Sequence, residues 1–211
     1  MILIAKITKM NFTKFKFFLC INMLLNTGAT VIAADLSPSQ MIATSIQLLE
    51  LELGDEANKE RLGDNRVELY SIIDEALSPY FQKKYAGRLV LNQYWTNSSQ
   101  NQRERFTEGL YQSLIRSYAI SMLNFDVGKI SVKPVIANLQ NVKKITVESD
   151  VDYKGEVIPM NFSFGKFNEG WRFYDVRIEG VSYIKNYRSQ FKAEIQANGI
   201  DSVILRLESQ I

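Results

Sequence analysis

Residue chemistry narrows the functions open to this chain before any fold is considered. It contains no histidine, and its single cysteine is Cys20. Imidazole bases, Ser-His triads and the usual zinc sites are therefore excluded, and a cysteine nucleophile would have to be Cys20. An enzyme built on this sequence would have to work with carboxylates, Lys, Tyr or Ser. Tyr174-Asp175 could form a proton-transfer pair, but a lone Tyr and Asp lack the converging groups that a catalytic site needs. Glu148, Asp150 and Asp152 resemble a carboxylate cluster, yet at period two they form the wet face of a strand rather than an oxygen-rich calcium loop. Lys83-Lys84 and Lys143-Lys144 read as solvated surface charge. No phosphate loop or dinucleotide fingerprint is present. The residues thus point to no catalytic group, no metal and no cofactor.

The elements that would carry these residues change period along the chain. Ser37-Pro38-Ser39-Gln40 has the form of a capping box with proline at the first helical position. Met41, Ile42, Ile46, Leu49 and Leu53 follow at helical spacing, and Gly54-Asp55 ends the run. A polar stretch to about Asn65 reads as a connection. A second helix, marked by Val67, Tyr70, Ile72, Ile73 and Leu77, stops at Ser78-Pro79, and a short third helix is expected over 81–91. The longest helix is expected from Ser98 or Ser99 to about Asn124. Phe106, Leu110, Leu114, Tyr118 and Met122 form its i, i+4 ladder, and Tyr111, Ile115 and Ala119 widen the apolar stripe. Both sides of this helix should therefore meet protein or ligand.

From Lys129 the period becomes two. Ile145, Val147, Val151 and Tyr153 alternate with polar residues. Ile158, Met160, Phe162 and Phe164 share one face of the next strand, and a turn at Asn168-Glu169-Gly170 leads into a strand over 171–178. Short links favour an antiparallel meander. Helical spacing returns at Tyr183, Ile184, Tyr187, Phe191 and Ile195, breaks at Gly199, and ends in a short helix with Val203, Leu205 and Leu207. The fold expected is α+β: a twisted antiparallel sheet of about four strands packed against several helices, cone-like and NTF2-like, with an apolar cavity between the layers.

The N-terminus reads as an address. Lys6, Lys9, Lys14 and Lys16 precede the apolar run Phe17-Phe18-Leu19-Cys20-Ile21-Asn22-Met23-Leu24-Leu25, and Val31-Ile32-Ala33-Ala34 offers small residues for cleavage. The run is shorter than the roughly 20 apolar residues a spanning helix needs, and Asn22 interrupts it. A cleavable signal peptide over 1–33 is expected, followed by one exported domain over 34–211. A lipoprotein reading of Cys20 fits poorly, because bulky Leu19 precedes it. The signal removes four of the 25 basic side chains and none of the 23 acidic ones, leaving 21 against 23, a net charge of −2. It also removes the only thiol. Nucleic acid is not an expected partner, since it would call for a strongly basic face. From pattern alone the chain is an exported α+β domain, with an apolar ligand favoured over a merely solid core.

A family resemblance adds to this. Pro79-Tyr80-Phe81, Tyr94-Trp95, Gln102-Arg103 with Phe106, and Ser117-Tyr118-Ala119 occur in the order seen in the MlaC, or toluene tolerance, family. Downstream, Gly170-Trp171-Arg172-Phe173-Tyr174-Asp175-Val176, Glu179-Gly180-Val181-Ser182, Asn186-Tyr187-Arg188-Ser189-Gln190-Phe191 and Gly199-Ile200-Asp201 extend the likeness over about 41–207. Two positions depart from the family pattern: Gln82 stands where Asp is usual, and Asn92 where Gly is usual. The resemblance implies a periplasmic phospholipid carrier serving outer-membrane lipid asymmetry. It also implies an inner-membrane ABC transporter complex and an outer-membrane lipoprotein–porin complex as transient partners. Enclosing the tails is the physical task, since a sixteen-carbon chain exposed to water costs on the order of 12 kcal/mol at about 0.8 kcal/mol per CH₂. On that reading the candidate tail contacts are Leu110, Leu114, Tyr118, Val147, Val151, Met160, Phe162, Tyr174 and Val176. The alternatives are a carrier of another amphiphile (a hopanoid or quinone), a small exported enzyme on a similar fold, or an adaptor with a solid core.

Overall fold

The computed structural model describes residues 36–123, 127–136 and 138–210. The expected signal peptide over 1–33 lies outside them.

Helix α1 (Pro38–Leu53) starts as its sequence dictates. The Ser37 amide donates to Gln40 Oε1 (2.9 Å), Ser37 Oγ accepts from the Gln40 amide (3.4 Å), and Pro38 occupies the first turn. The stretch read as a connection is instead helix α2 (Glu56–Asp64), capped by Asp55, whose side chain accepts from the Ala57 amide (3.1 Å). Only Leu62 of α2 is buried, so this helix has no apolar stripe for periodicity to detect. Helices α3 (Arg66–Leu77), α4 (Lys83–Leu91) and the short α5 (Gln93–Asn97) follow. Asn92, between the last two, has φ 49°, a left-handed conformation that Asn tolerates better than most residues. Gln82 is the N-cap of α4 but makes no capping bond with its side chain, which donates instead to Glu169.

The long α6 (Gln100–Leu123) opens with a reciprocal Ser99–Gln102 capping pair (2.9 and 3.1 Å). One 3₁₀ turn (Val127–Lys129) leads into an antiparallel sheet in the order β1 (Ile130–Val132), β2 (Lys144–Tyr153), β3 (Glu156–Phe167), β4 (Gly170–Ile178) and β5 (Val181–Ser182). The chain is α+β with an antiparallel meander, in which β1 and the two-residue β5 bring the strand number to five. Helix α7 (Tyr183–Glu208) closes the fold and breaks at Gly199 (φ 79°, ψ 164°), a conformation available to glycine without strain. Beyond the break Val203, Ile204 and Leu207 are buried while Leu205 faces solvent, so helical period rather than alternation orders this tail.

Two apolar cores hold these layers. In the larger, α1 and α3 pack with Tyr111, Ile115, Ala119 and Leu123 of α6 and with the inner face of the sheet. In the smaller, Phe106 and Leu110 of α6 pack with α4 and α7. Each fully buried Leu or Phe contributes about 1.5–3 kcal/mol relative to exposure. The two stripes of α6 thus serve different cores, with Leu114 packed against the smaller and Met122 against the larger.

Candidate functional site

A cavity of about 560 Å³ lies between α6, the sheet and helices α1, α3 and α7. That volume is within the roughly 300–1,000 Å³ usual for small-molecule sites. The ladder of α6 reaches it through Leu110, Leu114, Tyr118 and Met122. Val151 of β2, and Ile158, Met160 and Phe162 of β3, supply the sheet wall, as period two requires of one face.

Strand β4 supplies its part of that wall through a bulge. Phe164 pairs with Phe173, but Ser163 pairs with Asp175 and Phe162 with Val176, so Tyr174 is an extra residue. The inward set therefore switches from Trp171 and Phe173 to Val176 and Ile178. The ring of Tyr174 packs edge-on to Tyr85 (4.9 Å), close over Gly165. Burial pushes the Tyr174 phenol up, with the Lys144 ammonium opposing.

Of the nine candidate contacts, Leu110, Leu114, Tyr118, Val151, Met160, Phe162, Tyr174 and Val176 line the cavity. Val147 does not. It stands opposite Phe162 in the ladder and is wholly enclosed in the larger core. Sequence reasoning passed over Ile42, Ile46 and Leu49 of α1, and Tyr183, Ile184 and Tyr187 of α7. Their helical spacing was legible, but spacing alone does not say which layer a stripe faces.

The polar groups at the cavity are few, and several have partners. Ser45 Oγ donates to the Ala76 carbonyl (2.7 Å), with the Met41 carbonyl at 3.1 Å. Asp175 is 5% exposed; its Oδ2 accepts from Ser182 Oγ (2.7 Å) and its Oδ1 from the Ile184 amide (3.0 Å). Both oxygens thus engage the N-cap and first turn of α7, where backbone amides lack helical partners, and Oδ2 also lies 3.7 Å from Arg177 Nε. Burial, then the neighbouring Asp74, pushes the Tyr111 phenol up, and the Lys83 ammonium lies 3.8 Å over its ring. Among the described lining residues only Asp175 bears a carboxylate and none is a Lys or Arg. Among the described residues, no group of three or more His, Cys, Asp or Glu could hold a metal, and no helix is long and apolar enough to cross a membrane.

A helix-backed antiparallel sheet around an apolar cavity, with its one carboxylate engaged in structure, defines a class: an α+β protein with the geometry of a binder of apolar ligands. The family model for MlaC protein matches residues 55–209, and the chain belongs to the MlaC family. It is 26% identical over 157 residues to the intermembrane phospholipid transport system binding protein MlaC of Haemophilus influenzae, covering 72% of this chain and 73% of that one. It is 27% identical over 152 residues to the toluene tolerance protein ttg2D of Pseudomonas putida, covering 71% and 70%. A solved phospholipid-binding protein from Ralstonia solanacearum, in complex with a phospholipid, shares the fold with a TM-score of 0.71 and 22% identity, covering 82% of this chain and 96% of that one.

Proposed function

We propose that this protein is a periplasmic phospholipid carrier. It holds acyl tails in the cavity, leaves the head group in solvent, and moves lipid between outer and inner membranes to maintain outer-membrane lipid asymmetry. The observation that carries this reading is a cavity of about 560 Å³ with apolar walls and no basic side chain among its described lining residues. Such a site rewards burial of hydrocarbon and offers no counter-charge to a phosphate. Leu110, Leu114, Tyr118, Val151, Met160, Phe162, Tyr174 and Val176 are the proposed tail contacts, with Val147 backing Phe162. The protein does no chemistry on its cargo and needs no cofactor. The curated relative's name, an intermembrane phospholipid transport system binding protein, supports the carrier role.

Residues 1–33 act as a cleaved signal that delivers the carrier to the periplasm. Tails enclosed this well need help to leave, so an inner-membrane ABC transporter complex and an outer-membrane lipoprotein–porin complex serve as donor and acceptor. Native mass spectrometry of protein purified from the periplasm tests the reading. Bound phospholipid on a chain beginning at residue 34 or 35 is expected. Lipid-free protein that takes up nothing from phospholipid liposomes would refute it, and an extracted hopanoid or quinone would reassign the cargo.

A further inference from the structure

Among the hydroxyl-bearing side chains on the cavity wall, three tyrosines from two helices form a cluster. Tyr118 comes from α6, and Tyr183 and Tyr187, one helical turn apart, come from the same face of α7. The rings of Tyr118 and Tyr183 meet edge to face at 5.0 Å and 86°. All three are half-buried, whereas Ile42, Ile73 and Phe173 elsewhere on the wall are almost wholly enclosed. Each of the three rings is thus partly enclosed and partly reached by water, a setting in which an aromatic body and a polar tip are both accommodated. Burial, followed by the nearby hydroxyls of Tyr183 and Tyr187, pushes the Tyr118 phenol up, which keeps it a protonated donor. Unlike Ser45 and Asp175, none of the three hydroxyls bonds a backbone carbonyl or a carboxylate among the described residues.

The chemistry of the cluster selects its partner. Neutral donors without a nearby Lys or Arg on the wall suit a neutral acceptor rather than a phosphate. The α7 amide that might have attracted an anion is already bonded to the Asp175 carboxylate. Resting on the phospholipid reading above, we propose that Tyr118, Tyr183 and Tyr187 form a subsite for the ester carbonyls joining acyl chains to glycerol. The subsite sets the depth to which a diacyl lipid enters and favours ester-linked over ether-linked lipid.

The test is competitive uptake from liposomes that mix diacyl and dialkyl phosphatidylcholine of equal chain length, read by native mass spectrometry. The parent protein should be enriched in the diacyl lipid. The Tyr118→Phe/Tyr183→Phe/Tyr187→Phe variant should lose that preference, by about fivefold for each hydroxyl–carbonyl bond removed. The single Tyr187→Phe variant should lose part of it, while Tyr94→Phe, on α5 outside the cavity, should keep it. An unchanged diacyl-to-dialkyl ratio in the triple variant, or no preference in the parent, overturns the subsite and leaves the carrier reading intact. Failure of the parent to take up either lipid overturns both.

Discussion

Replacing Asp175 with Ala tests whether this carboxylate fixes α7 to the sheet. Asp175 is 5% exposed and accepts from Ser182 Oγ at 2.7 Å and from the Ile184 amide at 3.0 Å. Bonds to a charged group are worth about 1.5–3 kcal/mol each. Taking the low end for both, because Ser182 Oγ can turn to another acceptor, gives a loss of about 3 kcal/mol. In a domain of this size each kcal/mol moves Tm by about 2–4 °C, so a fall of about 6–12 °C is expected. Asp175→Asn keeps one acceptor for the Ile184 amide and should lose about half as much. A double-mutant cycle with Ser182→Ala should show coupling of about 1–2 kcal/mol, since the two side chains touch. Thermal unfolding should be followed on delipidated protein, because bound ligand raises Tm by mass action. Liposome uptake should weaken in parallel, since the tethered turn carries Tyr183, Ile184 and, a turn later, Tyr187 to the cavity. An Asp175→Ala variant melting within about 2 °C of the parent would refute the tether. A turnover abolished by Asp175→Asn at unchanged Tm would instead make the residue a proton-transfer group.

Two further outcomes follow from the same geometry. Gln82 is the N-cap of α4 without a side-chain capping bond, so Gln82→Asp should stabilise, but Asp there would face Glu169. The pair Gln82→Asp/Glu169→Gln should gain about 1 kcal/mol and melt about 2–4 °C above the parent, with the single change gaining less. Arg105 holds Glu208 in a bidentate pair (2.7 and 2.6 Å), which lowers the Glu208 pKa from its ordinary 4.5. A depressed carboxylate stabilises the fold above its unfolded pKa, and that contribution is lost as pH falls through the folded value. The Tm difference between parent and Glu208→Gln should therefore be fully present at neutral pH and shrink progressively below about pH 4.5 in a melting series, whereas a constant difference would exclude the pair as its source.

Much of the fold was legible because its signals are local. Ser37 and Ser99 announce helices through short-range capping, and the alternation around Val147 and Val151 announces a half-buried strand. Helix α2 escaped because its order comes from the Asp55 cap and from pairs such as Lys59–Glu56 (2.7 Å), neither of which creates an apolar period. The β4 bulge escaped for another reason. Tyr174 is not the glycine that often marks such a site, and the extra residue exists only relative to β3. That register also gives the ring of Tyr174 and the carboxylate of Asp175 different packing partners. Adjacency in sequence suggested joint chemistry, yet one ring rests against Tyr85 while the other side chain tethers α7. The cavity was legible as surplus apolar surface on α6 but not as a shape, because a cavity is what two cores fail to fill.

That failure is built into α6. Phe106 and Leu110 hold it to α4 and α7, while Tyr111, Ile115, Ala119 and Leu123 hold it to α1, α3 and the sheet. Gly109 lets α7 approach so closely that an added Cβ would sit 2.9 Å from Leu207 Cβ, which fixes the helix on one side. Moving α6 inward to close the gap would pull it from one core or the other. The space is open to solvent along part of its wall, so without a ligand it leaves apolar surface in contact with water where a core would bury it. On the carrier reading proposed above, one sixteen-carbon chain seated there would be spared on the order of 12 kcal/mol of exposure to water. The two cores that brace α6 would then hold the cavity open for that cargo, and its release would call for a partner able to move α6 or α7.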